Sequence, residues 1–151
     1  MLKRAGGAPL AIINVYVPPE PTQLREAILT GVTEMLAHAR GAHQAEEVVI
    51  GGDFNAAAHE GDRASPCNTD APYREWILAN HLSTADARAG AAVAKRPPTF
   101  HSKRVGGGSS RVDDFLLGGE GGGARRKWSA TALCEGLQHD SDHTPPVSSP
   151  R

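Results

Sequence analysis

The sequence predicts a mixed α/β fold, and three observations lead to that class. Apolar runs rich in β-branched residues at Leu10–Val17 and at Glu47–Ile50 are typical of strands. Between them, residues Pro21–Arg40 carry apolar side chains at steps of three and four residues, which indicates a helix. At 151 residues the chain is long enough to bury the core of one domain.

The first strand and the first helix both have recognisable ends. Pro18 and Pro19 end the strand, because proline has no N–H group to donate to a sheet. Pro21 suits the first turn of the helix and Gly41 suits its end. We expect this helix to pack on the core and to carry no chemistry. Its predicted apolar face consists of Leu24, Ile28, Val32, Met35 and Leu36.

The elements that follow are shorter. Residues His59–Asp70 are polar and rich in turn residues, so they are predicted to form a loop. A short helix over Pro72–Asn80 is expected to bring Trp76, Ile77 and Leu78 into the core. Further strands are expected at Arg111–Leu117 and Thr131–Leu133.

The stretch most suggestive of function follows the second strand. The apolar run ends at Gly51 and Gly52, and Asp53 and Asn55 come next, separated by one residue. A carboxylate beside a carboxamide can orient a water molecule or help to bind a hard cation. Strand ends are also where α/β proteins place their sites. An ordinary turn remains the alternative, because Gly, Asp and Asn are common turn residues.

Other polar groups also have two interpretations. The grouped His59, Glu60 and Asp62 could bind a metal or belong to a solvated loop. Asp113 and Asp114 interrupt an apolar strand, and a buried carboxylate there needs a partner. The cluster at 139–143 could be a metal-binding knot or a polar loop.

Charge is distributed unevenly, although the net charge is only −1. Residues 95–127 carry eight Lys/Arg and three Asp/Glu, which gives this segment a net charge of +5. Such a segment would attract a phosphate backbone, or it could form solvated loops. Its basic residues are Lys95, Arg96, Lys103, Arg104, Arg111, Arg125, Arg126 and Lys127.

Composition indicates a reduced intracellular protein with many loops. Hydrophobic residues make up 39% and aromatic residues 5%, with 17 Gly and 11 Pro, which argues for modest stability. Apolar runs are too short for a membrane span or a signal peptide. Cys67 and Cys134 are isolated and lack the spacing of paired metal ligands.

Four motifs, taken in order, resemble those of the endonuclease–exonuclease–phosphatase superfamily. Among its branches the chain looks most like the endonuclease domain of non-LTR retrotransposons, which is similar to the apurinic/apyrimidinic endonucleases. The resemblance runs from about Leu10 to Val147. It implies the C-terminal part of a four-layer α/β/β/α sandwich, with residues 1–151 as a partial domain whose last strand is truncated. The motifs are Ile13–Pro19, Gly52–Asn55, Ser110–Leu117 and Ser141–His143.

The resemblance assigns catalytic roles to five residues. Asp53 would orient or deprotonate the attacking water, and Asn55 would place that water and the phosphate. Tyr16 would donate a hydrogen bond to the phosphate. His143 would contact the phosphate, while Asp113 accepts a hydrogen bond from its ring and fixes its tautomer.

The resemblance also implies a metal and a nucleic-acid partner. Asp142, together with Asp53, would be a metal-side carboxylate, and Mg²⁺ is expected because the ligands are oxygens, with Mn²⁺ as a second possibility. Thr99, Phe100 and Arg111 would bind the substrate, which is DNA in this branch. No membrane is implied, and the location would be nuclear if the chain derives from a retroelement.

The chain departs from the family pattern before its first strand. Family members carry an upstream half that supplies an Asn and the Glu that is a principal metal ligand, and nothing before Tyr16 fills either role. We therefore expect Mg²⁺-dependent hydrolysis of DNA phosphodiesters, impaired in this chain. One alternative is a catalytically inactive relic or weak nucleic-acid-binding fragment. Another is a phosphatase or lipid phosphodiesterase of the same fold.

Overall fold

A four-stranded sheet backed by two helices forms the centre of the structure. The structure is a computed structural model that describes residues 9–85, 87, 98–102, 108–119, 128–132 and 146–150. The helices are α1 (Thr22–Gly41) and α2 (Asp70–Ala79). The strands are β1 (Leu10–Tyr16), β2 (Glu47–Asp53), β3 (Leu82–Thr84), β4 (Phe100–His101), β5 (Ser109–Ser110), β6 (Asp113–Gly118), β7 (Trp128–Ala132) and β8 (Pro146–Pro150). A mixed α/β fold was predicted, and this is confirmed.

The order of strands in the main sheet is β1-β2-β6-β3. β1 and β2 are parallel, with α1 as the connection between them, as parallel strands require. β6 runs antiparallel to both β2 and β3. The ends of β1 and β2 therefore meet the start of β6 at one edge of the sheet. Two further pairs, β4 with β5 and β7 with β8, are antiparallel and two-stranded.

The two faces of the main sheet differ in what covers them. The helix-covered face holds the larger apolar core, in which Phe54, Ile50, Leu36 and Leu116 are all almost completely buried. The other face, which we call the open face, carries a smaller cluster of Leu10, Val49, Ala85 and Leu117 with Phe115 beside it. Ile12 and Tyr16 on this face are 56% and 61% exposed.

The buried face of α1 differs from the predicted one. Val32 and Leu36 are buried as predicted, but Leu24 and Met35 are 46% and 49% exposed. The buried residues are Arg25, Leu29, Val32, Leu36 and Ala39, so the buried stripe is rotated by about one residue. An arginine occupies the first position of that stripe, which a search for apolar residues does not detect.

β2 continues beyond its predicted end at Ile50. Gly51 and Gly52 remain in the strand, and both neighbouring strands approach them closely. A Cβ atom on Gly51 would lie 2.7 Å from the Phe115 ring, and one on Gly52 would lie 1.8 Å from the Val15 carbonyl oxygen. The turn therefore comes after Asp53 instead of at the glycines.

Three smaller expectations also need correction. α2 begins at Asp70, inside the predicted loop, and Leu78 is 73% exposed because the helix turns it away from the core that buries Ile77. β6 begins at Asp113 instead of Arg111. The strand predicted at Thr131–Leu133 is part of β7, as far as Ala132.

Among the described residues, no helix is long and apolar enough to cross a bilayer.

Candidate active site

Three of the predicted catalytic residues lie side by side where β1 and β2 end and β6 begins. Tyr16 of β1 is in register with Asp53 of β2, and Asp53 is in register with Asp113 of β6. Side chains alternate along a strand, so this parity places all three on the open face. We call these residues the Tyr16–Asp53–Asp113 row. Stretches almost 100 residues apart in sequence thus contribute to one surface.

A hydrogen-bonded turn presents the central carboxylate of the row. The Asn55 backbone N–H donates to Asp53 Oδ1 at 2.8 Å, and Asn55 Nδ2 donates to Asp53 Oδ2 at 3.1 Å. Asn55 has a φ of 46°, a left-handed conformation that Asn adopts more readily than most residues. Its Nδ2 also donates to the Val17 carbonyl at 3.1 Å. Asn55 therefore fixes the orientation of Asp53 relative to the end of β1.

The residue between Asp53 and Asn55 anchors the turn in the core. Phe54 is completely buried on the helix side, and its ring stacks on Tyr73 of α2 with a centroid distance of 4.8 Å. Thr69, just before α2, donates its hydroxyl to the Asn55 carbonyl at 3.1 Å. Because Phe54 is held on the helix side of the sheet, Asp53 and Asn55 on either side of it stay partly exposed.

Thr99 and Arg111 lie inside the protein and support the row from behind. Thr99 is fully buried, and its hydroxyl accepts hydrogen bonds from the backbone N–H groups of Val112 and Asp113 at 3.1 and 3.0 Å. Arg111 is 2% exposed, and its Nη2 lies 3.6 Å from Asp114 Oδ1. These positions hold the start of β6 and do not present either side chain to a nucleic acid.

The other predicted residues are placed as follows. Phe100, in β4, is partly exposed. Asp142 and His143 lie outside the described residues. The Lys and Arg residues of the segment 95–127 also lie outside them, except for Arg111. The proposal that Asp142 and His143 complete the site therefore stays a prediction.

The residues His59 and Asp62 form a structural turn. The Asp62 side chain accepts from the His59 backbone N–H at 3.0 Å and caps the short 3-10 helix Glu60–Asp62. His59 Nε2 lies 3.3 Å from the Thr84 hydroxyl oxygen. Within the described ranges, no three His, Cys, Asp or Glu side chains are grouped as a metal site would require.

Two structural residues near the site were missed by the sequence analysis. Arg25 reaches the turn from α1, donating to the carbonyls of Pro18 and Phe54. Asp70 is 2% exposed and accepts from the backbone N–H groups of Ala57 and Cys67, each at 2.8 Å. The available signals were an arginine in register with the apolar stripe of α1 and an Asp at a helix start.

Comparison with models of protein families gives no match, and comparison with curated proteins gives none either. Solved structures do match. The 3′ phosphatase NExo from Neisseria, in a structure with a product DNA hairpin, has a TM-score of 0.72 and 18% identity over 93% of this chain and 60% of that chain. An AP endonuclease from Archaeoglobus fulgidus has a TM-score of 0.66 and 20% identity over 93% and 61%.

The endonuclease domain of TRAS1, a telomere-specific non-LTR retrotransposon, matches with a TM-score of 0.51 and 18% identity over 82% of this chain and 52% of that chain. The chain thus spans less than two thirds of the length of each of these proteins. Identities at this level establish a shared fold. The chain has the fold of the endonuclease–exonuclease–phosphatase superfamily, as its ordered motifs predicted.

Proposed function

We propose that this chain carries part of a site that hydrolyses phosphodiester bonds in DNA with the help of Mg²⁺ or Mn²⁺. The observation that carries the proposal is the Tyr16–Asp53–Asp113 row, in register on the open face of the sheet. The structural likeness to DNA-processing enzymes supports the choice of substrate class.

The row and its turn offer the groups that phosphodiester hydrolysis needs. The reaction requires an oriented water and donors for the phosphate oxygens. In the proposal Asp53 orients or deprotonates the water, and Asn55 helps to place it. Tyr16, which is 61% exposed at the edge of the row, donates its hydroxyl to the phosphate.

The donor chemistry of the row fits a hard cation in part. Asp53 and Asp113 are directly opposite each other on neighbouring antiparallel strands, an arrangement that is destabilising for two like charges. A nearby positive group would offset this cost. We propose that Asp53 and Asp142 hold the cation and that Asp113 orients the ring of His143. A bound divalent ion would neutralise charge that develops on the phosphate.

We further propose that activity is weak in this chain. It spans about 60% of the length of the NExo and AP endonuclease structures, and it lacks a counterpart of the metal-binding Glu that the family resemblance implies. Weak hydrolysis still distinguishes this proposal from an inactive, nucleic-acid-binding relic.

The test is single-turnover nicking of supercoiled plasmid with protein in excess. We expect Mg²⁺-dependent nicking that EDTA abolishes and that Asp53→Asn reduces by about 10²–10⁴-fold, the range for loss of a general base. Glu47→Gln is the matched control, because Glu47 is a carboxylate at the opposite end of the same strand. Nicking that is absent, or equal in Asp53→Asn, would refute the proposal. A panel of DNA, inositol phosphate and phospholipid substrates tests the substrate class.

A further inference from the structure

A buried arginine lies beneath the site, and the roles proposed so far do not use it. Arg25 is on α1 and is 5% exposed. Its Nη1 donates to the Pro18 carbonyl, and its Nη2 donates to the Phe54 carbonyl at 3.1 Å. The guanidinium therefore spans two segments that are 36 residues apart in the chain.

Both carbonyls belong to segments that carry residues of the site. Pro18 lies two residues after Tyr16, and Phe54 lies between Asp53 and Asn55. Two further bonds join the same segments: the Val17 N–H donates to the Asp53 carbonyl at 2.8 Å, and Asn55 Nδ2 donates to the Val17 carbonyl at 3.1 Å. Arg25 adds a link from the helix below.

Packing alone does not account for an arginine at this position. The next residues of the stripe, Leu29, Val32 and Leu36, are apolar, and an apolar residue would complete it without burying a charge. Burial lowers the pKa of Arg25, and attraction to Cys67, Asp53 and Asp70 opposes this shift. The planar guanidinium offers several donors in fixed directions, so one side chain can hold two carbonyls at a set separation.

We propose that Arg25 is a positioning residue of the site, which fixes the distance between Tyr16 and the Asp53–Asn55 turn without touching the substrate. The kinetic consequence of this inference rests on the proposed function. The structural consequence, which is restraint of the turn, is independent of the proposed function. Small displacements of reacting groups can reduce rates about 10²-fold, so the kinetic effect should be large.

Arg25→Gln and Arg25→Lys are compared with Arg40→Gln in the full chain. Arg40 is the matched control because it lies on the same helix and donates to a backbone carbonyl, that of Asn80, at 3.2 Å. Two quantities are measured: kcat and KM for plasmid nicking, and hydrogen exchange of individual backbone N–H groups without DNA. The informative N–H groups are those of Val17, Phe54 and Asn55, which donate to the Asp53 carbonyl, the Val112 carbonyl and the Asp53 carboxylate.

We expect Arg25→Gln to lower kcat about ten- to a hundredfold with KM unchanged, because Arg25 is buried away from the DNA. Arg25→Lys should retain part of that activity, and Arg40→Gln should retain all of it. Exchange at Asn55 should accelerate in Arg25→Gln and stay at the wild-type rate in Arg40→Gln. Equal exchange at Asn55 in these two variants would overturn the inference. If wild type does not nick DNA, the proposed function fails, and hydrogen exchange alone decides the role of Arg25. If Arg25→Gln does not fold, the same comparisons are made with Arg25→Lys.

Discussion

The aspartates of the open face and the buried aspartates on the helix side of the sheet are held in different ways. Asp53 and Asp113 lie in the open-face row at intermediate exposure. Asp70 and Asp114 are only 2% and 3% exposed, and each faces an arginine at 3.6 Å: Arg63 for Asp70 and Arg111 for Asp114. A buried carboxylate requires such partners, because an uncompensated buried charge costs several kcal/mol.

This difference shows how position separates folding roles from catalytic roles. The buried aspartates meet a requirement of the fold, since their oxygens face backbone N–H groups and arginines. Asp53 and Asp113 are in register on neighbouring strands, a placement that is unfavourable for two like charges. Asp113 and Asp114 make the contrast testable, because they are consecutive residues on opposite faces of β6.

Among the substitutions that compare the two faces, Asp113→Asn should have the largest effect, and it should act on catalysis. We expect nicking to fall by about 10²-fold or more, because the proposed acceptor for the His143 ring is lost while the shape of the side chain is kept. The free energy of unfolding should change by less than about 0.5 kcal/mol, as is usual for a substitution outside the core. Denaturant titration and single-turnover nicking measure the two quantities. A loss of stability that accounts for the lost activity would contradict the distinction between the faces.

Asp114→Asn should show the reverse pattern. Removing this charge leaves the Arg111 guanidinium, which is 2% exposed, without its carboxylate partner at 3.6 Å. We expect the free energy of unfolding to fall by about 3 kcal/mol, the scale for breaking a buried ion pair. Activity per folded molecule should stay within about twofold of wild type, because Asp114 lies on the helix side of the sheet, away from the row. If a fully folded Asp114→Asn variant lost its nicking activity, the two faces of the sheet would be coupled.

Phe54→Leu should affect both stability and catalysis, because Phe54 is buried in the core and lies between the site residues Asp53 and Asn55. The change removes the stacking on Tyr73 at a centroid distance of 4.8 Å and reduces buried volume. We expect a loss of about 1–2 kcal/mol in stability and, unlike for Asp114→Asn, a measurable fall in kcat of the folded protein. Leu78→Ala is the control, because Leu78 is 73% exposed and should change stability by less than about 0.5 kcal/mol. Equal effects of these two substitutions would contradict the anchoring role of Phe54.

The sequence was a good guide where one physical rule dominates. Strand β1 ends where prolines follow, as predicted, and the ordered motifs indicated the superfamily fold that the structural matches bear out. Local rules could not predict the pairing of β2 with β6, which brings Asp53 opposite Asp113, because register depends on contacts between distant residues.

The errors arose where tertiary contacts outweigh local pattern. The glycines after Ile50 looked like a turn, but they pair with β1 and β6 within β2, where the neighbouring Phe115 ring and Val15 carbonyl leave no room for side chains. Arg25 was overlooked because periodicity counts apolar residues only, and its buried position depends on the Pro18 carbonyl nearby and on the Phe54 carbonyl 29 residues away. Thr99 and Arg111 were expected to bind the substrate because of the family resemblance, and their burial could not be deduced from composition.

The smallest predicted effect concerns Cys67, which lies beside the buried Asp70. Cys67 donates its backbone N–H to Asp70, and hydrogen bonding by Thr69 lowers the pKa of its thiol below the usual range. A lowered pKa gives more thiolate at a given pH, and thiolate is the reactive form. Thr69→Val removes the hydroxyl, and with it the hydrogen bond to the Asn55 carbonyl, so the pKa of the thiol should rise and its reaction with a disulfide reagent at pH 8 should slow by about two- to threefold. The rates are measured as a function of pH in a Cys134→Ser background, which leaves one thiol. Asp113→Asn should leave the midpoint of this titration unchanged, because Asp113 is not among the groups that shift the thiol. A midpoint that moves in Asp113→Asn but not in Thr69→Val would mean that the two faces are not independent.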